Sequence, residues 1–244
     1  LAGPVTELDG RTVMVTGGTA GIGFATAHRL VEAGATVIIT GRDPQRGHQA
    51  QEKLGPTAQF VAVDMADSAG VERLARKVEL DILVNNAARF PAALTVDQDE
   101  DGFGHTFATN VRGLYFLVAA TVPTMIRRGG GAIVNVTSMV ASKGVPGASV
   151  YSASKAAVEQ LTRTWAVEFG PHNIRVNNVA PGPTATAGVA AEWGETNEEL
   201  GRALPLGRTA DPAEIAEAIY FLASPRASFI TGTTLHVDGG GSAV

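Results

Sequence analysis

The chain has 244 residues, 45% of them hydrophobic, with a formal net charge of −5 and no cysteine. That length supports one substantial core, and α/β domains of this size commonly stay undivided. Mild acidity speaks against nucleic acid as the main partner, and the lack of cysteine excludes disulfides, thiol nucleophiles and thiolate metal sites.

The five histidines are scattered, with no His-Glu-x-x-His pair, so no metal site is expected. No charged start leads into an apolar stretch and cleavage site, and no run is long enough to cross a bilayer, so a soluble cytoplasmic protein is expected. The first nine residues lack periodicity and read as a loose arm. From there apolar runs alternate with amphipathic segments. TVMVT from Thr12 reads as a strand, followed by the turn TGGTAGIG and a helical stretch. ATVIIT from Ala35 and QFVAVD from Gln59 read as strands, each leading into a helical segment, and DILVNN from Asp81 reads as a fourth. LYFLVAATV from Leu114 reads as a buried helix face that stops at Pro123. AIVNVTS from Ala132 precedes the helical YSASKAAVEQLTRTWAVEFG, and IRVNNVAPG precedes a less regular stretch. DPAEIAEAIYFLAS reads as a helix with Asp211 as N-cap and Pro212 in its first turn, and TTLHVDGG closes the pattern.

Short β-branched runs without polar alternation imply strands buried on both faces. The expected fold is α/β, a Rossmann-type doubly wound, mainly parallel seven-stranded sheet with helices on both faces. One domain is expected over residues 1–244. Residues 184–205, with a tryptophan and several acids, read as a flap over the site.

The glycine turn at residues 16–23 lies at the first strand–helix junction. Glycine there permits a tight turn and close backbone approach to a pyrophosphate, which the helix N-terminus attracts. Gly17, Thr19, Gly21, Ile22 and Gly23 are the candidate contacts. The second strand ends in Thr40-Gly41-Arg42, with no carboxylate to bind a ribose 2′-OH. Arg42 could instead pair with a 2′-phosphate, which favours NADP(H); stacking of Arg42 on adenine would leave NAD(H) possible. Asp43 reads as the N-cap of the next helix. Asp64, with Met65 beside it, is placed for the adenine amino group, and Asn86 and Ala87 follow the fourth strand.

Tyr151 and Lys155 stand one helical turn apart, so the ammonium can sit beneath the phenol and lower its pKa from about 10. Ser138 lies upstream at a strand end. TGGTAGIG, NNAA from Asn85, Asn110, Ser138, YSASK and PGPTAT from Pro181 occur in this order. Together they resemble the short-chain dehydrogenase/reductase family in its compact single-domain branch, over residues 10–240.

The resemblance implies an oxidoreductase that interconverts a ketone and a secondary alcohol. Tyr151 would be the general acid or base, and Ser138 would hydrogen-bond the substrate oxygen. Lys155 would hold the nicotinamide ribose and depress the Tyr151 pKa, with Asn110 supporting a water relay to Lys155. Pro181, Gly182, Thr184 and Thr186 would line the nicotinamide. Ala88 departs from the glycine usual in the family. Phe90, Val140, Val145, Ala148 and Trp193, with Arg89, Pro91 and Val189 near them, would face the substrate. Their apolar character suits a small lipophilic ketone or alcohol, and Arg89 reads as a solvated cation. The layout and the ending TGTTLHVDGG are also similar to 3-oxoacyl-carrier-protein reductases, for which Arg127 and Arg128 are candidate carrier contacts. A sensor without turnover would not need the set Asn110, Ser138, Tyr151 and Lys155. The resemblance further implies a homo-oligomer, a tetramer, using residues 114–122, the helix after Tyr151 and the C-terminal strand.

Overall fold

The protein is described by a computed structural model covering residues 6–244. Its strands are β1 (Thr12–Val15), β2 (Thr36–Gly41), β3 (Ala58–Ala62), β4 (Ile82–Asn85), β5 (Gly131–Val136), β6 (Ile174–Pro181) and β7 (Thr234–Val237). They form one sheet in the order β3-β2-β1-β4-β5-β6-β7. All six neighbouring pairs are parallel, so the sheet is wholly rather than mainly so. The order reverses between β1 and β4. In such sheets ligands bind at this reversal, beyond the carboxyl ends of the strands.

The helices are α1 (Gly21–Glu32), α2 (Pro44–Leu54), α3 (Ser68–Ala75), α4 (Glu100–Phe107), α5 (Leu114–Arg127), α6 (Ser149–Phe169), α7 (Ala187–Trp193), α8 (Thr196–Arg202) and α9 (Pro212–Ala223). Alternate residues of each strand feed two apolar layers, as the two-residue period of a strand requires. Val13, Val15 and Val134 join Leu30 of α1 and Ile215 and Ile219 of α9 in one layer. Met14, Leu83 and Ile133 join Leu117 of α5 and Val158 and Trp165 of α6 in the other. Both faces of the sheet are therefore dry, which explains the unbroken apolar runs in the sequence.

Four local expectations change. Residues 6–9 do not hang loose: Leu8 is 1% exposed, and its N–H donates to the Ala33 carbonyl at 3.0 Å. Residues 1–5 lie outside the described chain. The helix beginning at Leu114 runs through Pro123 to Arg127, and it buries only one side, leaving Tyr115 and Phe116 substantially exposed. The irregular stretch after β6 contains two seven-residue helices, α7 and α8. A π-helical turn, Ala108–Gly113, joins α4 to α5, an element that no apolar periodicity announces. The caps proposed from sequence are present. Asp43 accepts from the N–H groups of Gln45 and Arg46, and Asp211 forms a capping box with Glu214.

At the amino end of the sheet, Asp81 is 3% exposed and accepts from the Thr12 N–H at 2.8 Å. Arg11 at 3.2 Å and Arg128 at 3.0 Å complete its surroundings. Burial pushes this carboxyl up, but the Thr12 N–H and the two guanidinium groups outweigh it and hold the pKa below its ordinary value. Asp81→Ala strands the Thr12 N–H and is expected to reduce stability at neutral pH by roughly 2 kcal/mol in urea denaturation. A depressed carboxyl pKa stabilises fully above the unfolded value and loses that effect as pH falls through the folded one. The difference between parent and variant should therefore shrink in acid. No loss at neutral pH, or a difference that widens in acid, contradicts this assignment.

Candidate active site

The carboxyl ends of the strands open into a cleft of about 770 Å³. Every catalytic, cofactor and substrate candidate named from sequence lines it except Asn110 and Pro91. At one end the turn between β1 and α1 is built for close approach. Gly17 has φ +65°, and a Cβ on Gly23 would stand 2.2 Å from the Gly17 carbonyl oxygen. Asn86 braces the same turn, its Nδ2 donating to the carbonyls of Thr16 at 2.9 Å and Gly17 at 3.1 Å. The Thr16 hydroxyl accepts from the backbone N–H groups of Asn86 and Ala87. Ala20, at the N-cap of α1, offers no side-chain cap, and the first turn holds no acid. The leading N–H groups of α1 are thus unopposed by protein carboxylates, and they suit a bound phosphate.

Arg42, Arg46, Asp43 and Asp64 line the far end of the cleft. The Asp43 carboxylate is committed to capping α2, through Gln45 at 2.9 Å and Arg46 at 3.1 Å. Its other oxygen stands 4.0 Å from the Arg46 guanidinium, so Arg42 and an Arg46 partly paired with Asp43 line that end. Arg46 was not foreseen. Its spacing of four from Arg42, across the start of a helix, is the signal that could have found it.

Tyr151, Lys155 and Ser138 meet near the middle of the cleft. Ser138 follows β5, while Tyr151 and Lys155 lie in the first two turns of α6. Lys155 is 3% exposed, and its Nζ donates to the Val136 carbonyl at 2.7 Å. The Nζ is 5.7 Å from the centre of the Tyr151 ring. Burial pushes the Lys155 pKa down to about 8. Burial pushes the Tyr151 phenol up to about 12, and a hydrogen bond with Ser138 opposes that rise only in part. The depression of Tyr151 by Lys155 expected from spacing is therefore absent among the protein groups themselves. Both groups lose more by leaving water than either gains from its neighbour.

Asn110 lies beneath this site in the π-helical turn, and its side chain is directed at backbone. Its Oδ1 accepts from the Arg89 N–H at 2.8 Å, while its Nδ2 donates to the Arg89 carbonyl at 2.8 Å and to Ser154 Oγ at 2.9 Å. Ser154, unremarked in the sequence, passes its own proton to the Tyr151 carbonyl at 2.7 Å. Asn110 thus ties the loop after β4 to the start of α6.

Phe90, Val140, Val145, Ala148, Val189 and Trp193 form an apolar end beside Tyr151. The Phe90 ring meets Tyr151 edge-on, with centroids 6.3 Å apart. Trp193 Nε1 donates to the Phe90 carbonyl at 3.2 Å, and Glu192 accepts from the Ala92 N–H at 3.2 Å. Trp193 therefore both lines the cleft and joins α7 to its rim. Asn197 and Leu200 of α8 also line it and were not anticipated. Among the described residues there is no group of three or more His, Asp or Glu side chains able to hold a metal, and no helix long and apolar enough to cross a membrane.

Known proteins are similar to this chain in sequence and fold. The family model described as enoyl-(acyl carrier protein) reductase matches residues 17–242. A solved structure described as a short chain dehydrogenase/reductase family protein is 56% identical, spans 98% of this chain and 100% of its own, and superposes with a TM-score of 0.94. The 3-oxoacyl-[acyl-carrier-protein] reductase of Vibrio harveyi is 37% identical over 96% of this chain and 98% of that protein. A protein put forward as an NAD(P)-dependent gluconate 5-dehydrogenase from Beutenbergia cavernae is 34% identical, over 99% of this chain and 100% of its own. Its crystal structure, with a TM-score of 0.93, carries NADP at low occupancy.

Replacing Lys155 separates its chemistry from its stability. A lysine whose folded pKa lies below its unfolded value destabilises the fold below the folded value, and the penalty fades as pH rises towards the unfolded one. With a folded pKa of about 8 against 10.5, Lys155 carries that penalty at neutral pH. Lys155→Met is expected to raise the thermal midpoint at pH 7 by roughly 2–4 °C, which corresponds to about 1 kcal/mol in a chain of this size. The advantage should narrow between pH 8 and 10. A lower midpoint at pH 7 would show that the Val136 hydrogen bond outweighs the buried charge.

Proposed function

The chain belongs to the short-chain dehydrogenase/reductase family and is an NAD(P)-dependent oxidoreductase, and we propose that it reduces a small lipophilic ketone with NADPH, or oxidises the matching alcohol, through Tyr151. The observation that carries this reading is the convergence of Ser138, Tyr151 and a buried Lys155 on an apolar pocket, continuous with a glycine cradle.

The residues present fit a dinucleotide. Gly23 lets α1 pack directly against the Gly17 carbonyl and the Asn86 side chain, and the uncapped N-terminus of α1 that this brings to the turn suits a pyrophosphate. Arg42, with Arg46 beside it, suits a 2′-phosphate over a bare ribose, while Asp43 caps α2 through one oxygen and pairs loosely with Arg46 at 4.0 Å through the other. Asp64 would receive the adenine amino group. Lys155 would use its remaining N–H donors on the nicotinamide ribose, and Pro181, Gly182, Thr184 and Thr186 would flank the ring. When bound, the nicotinamide supplies or accepts the hydride.

Tyr151 gives its phenolic proton to the carbonyl oxygen during reduction and takes it back during oxidation. Ser138 donates to the same oxygen, stabilising the charge that develops there. A phenol near 12 holds its proton too tightly to serve as a base at neutral pH, so a cation beside it must lower that value. Lys155 does not lower it within the protein alone, so the oxidised nicotinamide, when bound, would supply that positive charge. Asn110 supports the set by fixing Arg89 and the start of α6.

Residues 184–205, including α7 and α8, would cover the substrate, held at the rim by Trp193 and Glu192. The pocket walls are apolar, which favours a lipophilic carbonyl. A carrier-bound acyl chain is a second reading, favoured by the Vibrio harveyi relative. Arg128 cannot serve that carrier as expected, because it is paired with Asp81 at the amino end of the sheet, away from the cleft. Arg127 lies beside it at the same end. A homo-oligomer completes the proposal. Tyr115, 42% exposed, and Phe116, 52% exposed, border an apolar groove with Phe107, Val111 and Leu161 that a second copy could cover.

The test is a panel of cyclohexanone, ethyl acetoacetate, 5-ketogluconate and S-acetoacetyl-N-acetylcysteamine, each run with NADPH and with NADH. Turnover of the apolar ketones with NADPH is expected, and Tyr151→Phe should lower kcat by roughly 10³-fold. Arg42→Ala should raise the KM for NADPH about tenfold and leave that for NADH unchanged. An NADH preference that survives Arg42→Ala contradicts the cofactor assignment. A Tyr151→Phe enzyme with parental kcat contradicts the chemistry.

A further inference from the structure

α6 carries Tyr151 and Lys155, and it must be aligned with β5, which carries Val136 and leads to Ser138. Yet the face that α6 turns to the sheet is not simply apolar. Lys155, Glu159 and Thr162 are spaced four and three apart, so they share one face. Each is hydrogen-bonded to the sheet or to the residue just beyond it. Lys155 Nζ donates to the Val136 carbonyl at 2.7 Å, and Glu159 accepts from Thr137 Oγ1 at 3.2 Å. Thr162 Oγ1 accepts from Asn135 Nδ2 at 2.8 Å and donates to Asn178 Oδ1 at 2.6 Å.

The contacts of Thr162 are the middle of a longer chain. Asn85 Nδ2 donates to Asn135 Oδ1 at 2.8 Å, and Asn178 Nδ2 donates to Thr234 Oγ1 at 3.0 Å. Side chains from β4, β5, α6, β6 and β7 are thereby joined head to tail, with every donor pointing the same way. Asn85 is 3% exposed, and Asn135, Thr162 and Asn178 are each 0% exposed. None of the five lines the cleft.

Apolar packing is non-directional and lets a helix slide with little change in buried area. A buried hydrogen-bond chain does not. Moving α6 along its axis by one residue, about 1.5 Å, would break both bonds at Thr162 in an interior that offers no replacement. Thr162 lies seven residues beyond Lys155, about two turns along one continuous helix. A register fixed at Thr162 is therefore a register fixed at Lys155 and Tyr151.

We propose that Thr162 is a positioning residue, which sets the axial register of α6 through the buried Asn–Thr chain and so holds Tyr151 and Lys155 against Ser138 and Val136. This rests on the assignment of Tyr151 and Lys155 as the reacting pair. It gives the polar stripe a role that stability alone does not require, since apolar residues of similar shape could fill the same space.

The experiment is a graded series at one position, Thr162→Ser, Thr162→Cys and Thr162→Val, with Val158→Ala as a control. Val158 is 0% exposed on the same helix but lies outside the hydrogen-bond chain. Kinetics use NADPH with whichever ketone of the panel the parent reduces fastest. Thr162→Val should lower kcat by roughly 10- to 100-fold and leave the ketone KM within about twofold, as misplacement of reacting groups does. Thr162→Ser should restore most of kcat, with Thr162→Cys between them. A crystal structure of Thr162→Val should show Lys155 Nζ beyond hydrogen-bond reach of Val136. Parental kcat in Thr162→Val overturns the proposal. So does a retained Lys155–Val136 contact, or an equal kcat loss in Val158→Ala at a matched thermal midpoint. Should Thr162→Val fail to fold, Ser and Cys variants of equal kcat overturn it. A parent inactive towards the whole panel would count against the reaction assigned above, while the crystallographic distance, compared between the parent and Thr162→Val, still decides the register.

Discussion

A lysine ammonium held out of water at the end of β5 is the constraint around which this molecule is arranged. Lys155 gives one proton to the Val136 carbonyl and stays charged only at the expense of lost hydration, which brings its pKa down to about 8. Such a group survives in a fold only if its surroundings are rigid. The surrounding parts meet that need: two dry layers around a wholly parallel sheet, a π-helical turn that presents Asn110 to the Arg89 backbone, and a helix locked to two strands, β5 and β6, by polar contacts. The site stores a destabilising charge, and the frame absorbs it.

The same constraint explains how the two ends of the cleft cooperate. Tyr151 and Lys155 are each shifted by burial in the direction that suppresses charge. Neither corrects the other within the protein alone. On the proposed reading, the glycine cradle and the uncapped start of α1 would orient a cofactor whose ribose hydroxyls would meet the remaining donors of Lys155. On that reading binding and proton transfer would be parts of one electrostatic arrangement, with the turn at residues 16–23 at one end of the cleft and Tyr151 in its middle.

Much of this was legible before the fold was known, because the signals were local. Unbroken β-branched runs gave strands buried on both faces, Asp43 and Asp211 marked helix starts, and the glycine spacing marked the cradle. What escaped was non-local or lacked a period. α4 contains two glycines in EDGFGHTF and no apolar stripe, and the π-helical turn has no sequence signature. Arg128 read as a candidate carrier contact because its partner, Asp81, is 47 residues away. The chain through Asn85, Asn135, Thr162, Asn178 and Thr234 was invisible for the same reason, since each member alone reads as an unremarkable polar residue. The expected lowering of the Tyr151 pKa failed on a different ground. Spacing reports proximity but not burial, and here burial is the larger effect.

The central claim is that hydride passes between a nicotinamide and a carbonyl carbon while Tyr151 moves the proton. Its most direct test is reduction of a ketone with NADPH bearing deuterium at both C4 positions, with the product alcohol analysed by mass spectrometry and NMR. One deuterium on the carbinol carbon is predicted with the parent enzyme, and almost none over the same interval with Tyr151→Phe. A product formed without deuterium at that carbon, or equal labelling by the two proteins, would contradict the account.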